Sequence, residues 1–360
     1  MFNRYGIPIL GLDDVTKKSN VMINQTLDES LLKMAEVQNK HEDELLGLSN
    51  VVGVALGNKV KEGVETEEPV LSVLVTHKLD KSLLSRKDMV NKTIEGIKTD
   101  VVEVGEVFAG NALAELQRAE TDMEVDTHAG GFSPMLNNRI RPAKGGYSVG
   151  HYKISAGTIG TCCYDLGPFP SRPRNYYILS NNHVLANSNN ARIGDPILQP
   201  GPYDGGKYPR DVIARLSRFI PIKFINGNNA PCNYVDAAIA EGNLKDLNRE
   251  IYWGGHVKRL YAAPKVGDIV QKTGRTTGFT TGRVTNINAT VNVNFGGGKI
   301  AKFCRQIITT NMSAGGDSGS LVTDRNEGAV GLLFAGSSTR TIINNILYVQ
   351  SLLKVRVTEI

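Results

Sequence analysis

The sequence predicts a mainly β protein preceded by a small α/β segment that opens with a helix. Three observations predict it. Short runs rich in β-branched residues recur between Gly, Pro and Asn punctuation through the second half of the chain. No long amphipathic helix interrupts those runs. Ahead of them come a helical pattern and then a strand, strand, helix, strand order. The chain has 360 residues, 41% of them hydrophobic, which is enough for two domains or one large domain with an extension.

The elements follow in order. Thr26-Leu-Asp-Glu29 reads as a capping box. Leu27, Leu31, Met34, Leu45 and Leu48 then recur at helical spacing across 26–48, with charges between them. The plain reading is an amphipathic helix packed on its own domain. The sharper reading is a helix that mediates self-association, giving a homo-oligomer through the N-terminal region. Apolar runs at 50–57 and 69–75, a polar helical piece at 80–89 and a last run at 99–105 predict a small α/β domain over 50–108. The stretch from 109 to 139 is rich in Ala, Gly, Asn and charge and reads as a linker, after an N-terminal helix region over 1–49. From 140 to 360 the β runs take over, at 158–164, 176–179, 283–293, 305–310 and 329–335.

The most informative stretch is Gly316-Asp317-Ser318-Gly319-Ser320-Leu321. A serine hydroxyl is a weak nucleophile until a tight turn exposes it and aims backbone N–H groups at the group it attacks. Glycines at 316 and 319 suit such a turn, because glycine adopts backbone angles closed to other residues. The bland reading is a surface turn before a strand. Partners decide between the two. Of His41, His77, His128, His151, His183 and His256, only His183 closes a strand-like run, at 176–186. Its bland reading is a strand cap. Asp236 sits in Asn233-Tyr-Val-Asp236-Ala-Ala-Ile-Ala240, where a carboxylate is costly to bury unless paired. Its bland reading is a solvated strand end. His183, Asp236 and Ser318 come in the chain order of the chymotrypsin-type triad, and the other common triad orders differ.

Four ordered pieces carry a resemblance: Ser-Asn-Asn-His183-Val-Leu, Val-Asp236-Ala-Ala-Ile-Ala, Lys272-Thr-Gly-Arg-Thr-Thr-Gly-Phe-Thr-Thr-Gly282 and Gly316-Asp-Ser-Gly-Ser-Leu-Val322. With them, residues from about 140 to 355 resemble a trypsin-like serine peptidase of the chymotrypsin fold. The resemblance implies two six-stranded β-barrels with the site between them, His183 and Asp236 on the first and Ser318 on the second. It implies His183 as general base, Asp236 as its orienting acid, Ser318 as nucleophile, and the N–H groups of Gly316 and Ser318 as the oxyanion hole. Asp317 would hold the active turn, and the lack of an activation peptide ending in the expected hydrophobic pair implies an internally ordered site. The substrate pocket would be built from Met312, Ser313, Gly315, Phe334 and Gly336. Met312 stands six residues before Ser318, where trypsin has the aspartate that holds Arg or Lys, so cleavage after small or medium apolar residues is expected. The N-terminal segments Asn50-Val-Val-Gly-Val and Thr99-Asp-Val-Val-Glu-Val resemble intracellular bacterial peptidases of this plan and, distantly, plant narrow-leaf regulatory proteases.

Composition bounds the partners. The net charge is +5, from 41 basic and 36 acidic residues, with the basic residues scattered. No basic tract with interleaved aromatics stands out, so no nucleic-acid partner is expected. No run of about 18 apolar residues exists, so no membrane helix is expected. The first ten residues have too short an apolar core for a signal peptide. Cys162, Cys163, Cys232 and Cys304 form no Cys-x-x-Cys pair, which argues against a metal site. They are expected to be free thiols, and position 184 beside the histidine is Val, so a cytoplasmic location is expected. No cofactor is expected. The predicted function is a serine endopeptidase acting on protein or peptide substrates. The alternatives are a protease-fold scaffold that binds peptides uncut, and a latent effector protease that a partner activates.

Overall fold

A computed structural model describes residues 27–110, 136–154, 156–165, 173 and 175–358. The N-terminal helix spans Glu29–Leu46. Its cap is Asp28, whose Oδ1 accepts from the Leu31 N–H at 2.9 Å. The expected capping residue, Thr26, lies outside the described residues. Met34, Ala35, Val37 and Leu45 are buried, and so are two polar residues that apolar spacing could not flag. Gln38 Nε2 donates to the carbonyls of Asn288 (2.8 Å) and Val54 (3.2 Å). Glu42 Oε2 accepts from Thr290 Oγ1 at 2.9 Å and from the Arg305 guanidinium at 3.3 Å. The helix is thus fastened to a sheet by buried polar bonds as well as by its apolar stripe.

The N-terminal strands Val51–Lys61 and Val64–Val75 form an antiparallel hairpin, and Ile97–Glu103 adds in parallel. These strands do not form a sheet of their own. Val51–Lys61 also pairs with the long strand Gly278–Asn294, in the register Gly53↔Val291 and Gly57↔Asn286. They therefore extend the sheet of the C-terminal half. Gly57 permits the close approach, since a Cβ there would lie 2.2 Å from Asn286 Nδ2. The helix expected at 80–89 is replaced by two single turns of 3-10 helix, Lys81–Leu83 and Arg86–Asp88. Leu83 and Met89 are exposed, so this stretch has no apolar stripe to bury. Ala109, the first residue of the expected linker, belongs to a short strand, Phe108–Ala109, and 111–135 lies outside the described residues.

Two barrels make up the rest. In the first, Ser148–His151, Pro196–Leu198, Val212–Phe219, Ala238–Gly242, Tyr176–Ser180 and Thr161–Asp165 follow one another across the sheet. Gly157–Thr158 pairs back on Ser148–His151, and only two residues separate it from Thr161–Asp165. One bent run therefore supplies both ends, and six strands close. In the second, Ile300–Thr310, Arg340–Asn345, Gly328–Gly336, Leu321–Asp324, Ile269–Gly274 and Gly278–Asn294 pair in order, and the last pairs with the first. The two six-stranded barrels implied by the sequence are present. A buried apolar cluster runs between them, including Tyr177, Val235, Leu321, Leu332 and, from the C-terminal helix Ile346–Leu353, Tyr348 and Val349.

The cysteines depart from expectation in one respect. Cys162 and Cys163 are free and buried, and burial pushes the Cys162 thiol up to about 12 and the Cys163 thiol higher still. Cys232 and Cys304 are bridged. They lie 72 residues apart, and the parallel pairing of Cys232–Asn233 with Ile300–Thr310 brings them together. Spacing along the chain carries no sign of that pairing, and the expectation of four free thiols holds only for Cys162 and Cys163.

Candidate active site

His183 lies in a single helical turn, Asn182–Leu185, directly after the strand Tyr176–Ser180. Asp236 precedes the strand Ala238–Gly242, which pairs with Tyr176–Ser180. Adjacent strands of the first barrel therefore bring the two side chains together. Asp236 Oδ2 stands 2.5 Å from His183 Nδ1, and Asp236 Oδ1 accepts the His183 backbone N–H at 3.1 Å. Asp236 is fully buried. Its own N–H donates to Asn344 Oδ1 of the second barrel, and its carbonyl accepts from Asn181 Nδ2. The carboxylate thus fixes the ring and leaves His183 Nε2, a buried atom with no hydrogen-bond partner among the described residues, as the free nitrogen.

Ser318 enters from the second barrel on a turn in which Gly316 and Gly319 take φ of 100° and 95°. A Cβ at Gly319 would lie 2.1 Å from Ser180 Oγ and 2.3 Å from the Thr158 carbonyl, so only glycine fits. Thr158 of the first barrel fastens the turn: its N–H donates to the Ser318 carbonyl at 2.8 Å and its Oγ1 to the Gly316 carbonyl at 2.9 Å. A single glycine, Gly157, separates the Ser318 turn from the histidine turn. A Cβ there would lie 2.4 Å from Val184 Cγ2 and 2.9 Å from the Ser318 carbonyl oxygen. Among the described residues, no acceptor meets the N–H groups of Gly316 and Ser318, as an oxyanion hole requires.

Asp317 is held without a chain terminus. Its carboxylate accepts the N–H groups of Thr276 (2.9 Å), Thr277 (3.2 Å) and Ala314 (3.0 Å) and the Thr277 hydroxyl (2.6 Å). It also pairs with Lys272 Nζ at 3.3 Å, both side chains being fully buried. Burial pulls the Lys272 ammonium below its usual range, and Asp317 offsets part of that pull. The sequence flagged Lys272 only as the start of a matching motif and gave it no role. Thr158 and Arg275 were also missed. Arg275 pairs with Asp204 at 2.6 Å, and its Nη1 would lie 2.3 Å from a Cβ at Gly316, so the guanidinium lies against the oxyanion side.

The five expected pocket residues divide. Ser313 and Gly336 meet: a Cβ on Gly336 would lie 3.6 Å from Ser313 Oγ, which is 2.7 Å from Thr341 Oγ1. The Gly315 carbonyl accepts from Thr276 Oγ1. Met312 does not line the pocket with its side chain. It packs in the core of the second barrel, with Sδ 2.6 Å from where a Gly282 Cβ would be. Phe334 also turns into the core, its ring 4.6 Å from that of Phe303. An apolar residue six positions before the serine was legible, but the direction of its side chain depended on the close approach that Gly282 allows.

Two sequence comparisons find relatives. Residues 27–105 match the family described as the NARROW LEAF 1 N-terminal domain. A stretch of 74 residues, 20% of this chain, is 47% identical to Serine protease 2 of Streptomyces fradiae. The chain resembles trypsin-like serine proteases. It spans about a third of the length of that curated relative, 33%. Solved structures with similarity include Thermobifida fusca protease A, at 15% identity and a TM-score of 0.41 over 59% of this chain and 96% of that one. Cellulomonas bogoriensis chymotrypsin is at 19% identity and a TM-score of 0.40 over 59% and 96%.

Proposed function

We propose that the chain is a serine endopeptidase working through an acyl-enzyme. The observation that carries the reading is the buried Asp236–His183 pair at 2.5 Å, with His183 Nε2 left free and the glycine turn of Ser318 across Gly157 from the histidine turn. His183 takes the Ser318 proton as Ser318 Oγ attacks the substrate carbonyl, then delivers it to the leaving amine. Asp236 keeps Nδ1 protonated and stabilises the imidazolium that forms. The N–H groups of Gly316 and Ser318 take the developing oxyanion, each worth about 3 kcal/mol of barrier.

The pocket reading favours small or medium apolar residues before the cut bond. Its polar groups, Ser313 and Thr341, satisfy each other, and no carboxylate stands among Ser313, Gly315, Gly336 or Thr341 to neutralise a cation. A fluorophosphonate probe tests the mechanism. Wild type is expected to label, and Ser318→Ala and His183→Ala to lose labelling while keeping the wild-type far-ultraviolet spectrum. Labelling that survives in folded Ser318→Ala rejects Ser318 as the nucleophile.

A further inference from the structure

The N-terminal segment does not stop at the extended sheet. After Gly105 (φ 76°), Phe108–Ala109 pairs antiparallel with the end of Gly328–Gly336, in the register Gly336↔Phe108 and Ala335↔Ala109. That strand is the one behind the nucleophile, because Leu333 exchanges backbone bonds with Gly319 (2.8 Å) and Ser320 (3.0 Å). Running antiparallel, residues 108 to 110 therefore head towards Ser318. At the end of the run, a Cβ built on Gly110 would lie 3.4 Å from His183 Cδ2, so the Gly110 backbone packs against the catalytic ring.

The segment is well anchored. The Val104 carbonyl accepts from Ser337 Oγ at 2.5 Å and Thr339 Oγ1 at 3.1 Å, and the Asn294 N–H donates to the Val107 carbonyl at 2.8 Å. Val107 and Ala109 are buried beside Phe303 and Phe334. Phe108 and Gly110 alternate with them, and Phe108 is only half-buried.

An extended peptide gains affinity by adding a strand to an exposed edge. The edge at 335–336 leads to the nucleophile, and this chain already fills it. We propose that residues 107–110 are a built-in substrate mimic: they lie where the part of a substrate preceding the cut bond would lie, and an extended substrate has to displace them. This rests on the endopeptidase reading above. Small reagents that need only Ser318 and His183 bypass the segment. Extended ones pay the cost of opening it, in proportion to the fraction of molecules whose cleft is free.

Two covalent reagents test it, a small alkyl fluorophosphonate and an Ala-Ala-Val diphenyl phosphonate. Phe108→Gly weakens the strand without removing a core side chain. The ratio of peptidyl to alkyl labelling rates is expected to rise about tenfold in Phe108→Gly, as a tenfold larger open fraction requires. In wild type, the peptidyl adduct is expected to speed amide exchange of 107–110 while the alkyl adduct leaves it unchanged. An unchanged or lower ratio, or exchange at 107–110 that the peptidyl adduct does not alter, overturns the substrate-mimic role and leaves the endopeptidase standing. No labelling of either protein by either reagent overturns the endopeptidase reading and this one with it.

Discussion

Two buried acid–base pairs flank Ser318, one from each barrel, and they are built for opposite ends. In the first barrel, Asp236 spends both oxygens on one residue, His183, and leaves that residue's other ring nitrogen without a partner. In the second, Asp317 takes three N–H groups and a hydroxyl besides Lys272, and Lys272 in turn donates to the Gly278 carbonyl and the Thr277 hydroxyl. The first pair holds one hydrogen-bonding atom, His183 Nε2, that is unmet among the described residues. The second is saturated and can only hold a shape. Burial alone does not separate a reacting pair from a structural one, since both carboxylates are fully buried; the leftover valence does.

Breaking the first pair tests the contrast most severely. Asp236→Asn keeps the size and burial of the side chain but offers an amide in place of the acceptor that fixes the His183 tautomer. The expected loss in kcat on a peptide substrate is about 10⁴-fold, with little change in the thermal midpoint. A large fall in the midpoint without that loss of rate would assign Asp236 to scaffolding, and the distinction between the pairs would collapse.

Breaking the second pair should read out the other way round. Lys272→Met leaves the Asp317 carboxylate buried without its counter-charge, which costs about 3–5 kcal/mol. The midpoint of thermal unfolding should fall clearly. Activity should fall with it because the turn carrying Gly316 and Ser318 loses its anchor. Unfolding monitored by circular dichroism, beside fluorophosphonate labelling below the new midpoint, separates the two effects. An unchanged midpoint would mean that the four neutral donors hold Asp317 by themselves.

The two pairs were unequally legible in the sequence. His183, Asp236 and Ser318 announce themselves because the residue types are restricted and their chain order is distinctive. The two-barrel architecture was legible for a related reason, as alternating β runs and glycine turns recur at short intervals. Lys272 was not, because a lysine inside a polar, glycine-rich run looks solvated until the strands Ile269–Gly274 and Leu321–Asp324 pair and enclose it. Contacts between distant parts of the chain were hidden in the same way. The pairing of Gly57 with Asn286, the bridge from Cys232 to Cys304 and the run of 107–110 to His183 all depend on which strands become neighbours. Side-chain direction was the third blind spot: Met312 and Phe334 stand at pocket positions along the chain yet turn into the core.

A third pair, His151 with Asp195, carries the smallest expected effect. It has the same residue types as the first pair and an equally buried imidazole, though Asp195 is partly exposed, and both ring nitrogens are used. Nε2 faces Asp195 Oδ2 at 3.1 Å, and Nδ1 accepts the Lys153 N–H at 3.3 Å. By the leftover-valence criterion it is structural. Burial, the largest influence, pulls the His151 imidazole below its usual range, with Asp195 resisting. A histidine kept neutral in the fold binds fewer protons than the unfolded chain does. Its contribution to stability is therefore complete above the ordinary histidine value of about 6.5 and is lost as pH falls below it. Replacing it by His151→Gln should flatten the decline of the thermal midpoint between about pH 7 and pH 5, with fluorophosphonate labelling at pH 7 unaffected. A steeper decline in the variant would mean that Asp195 outweighs burial, with His151 charged in the fold.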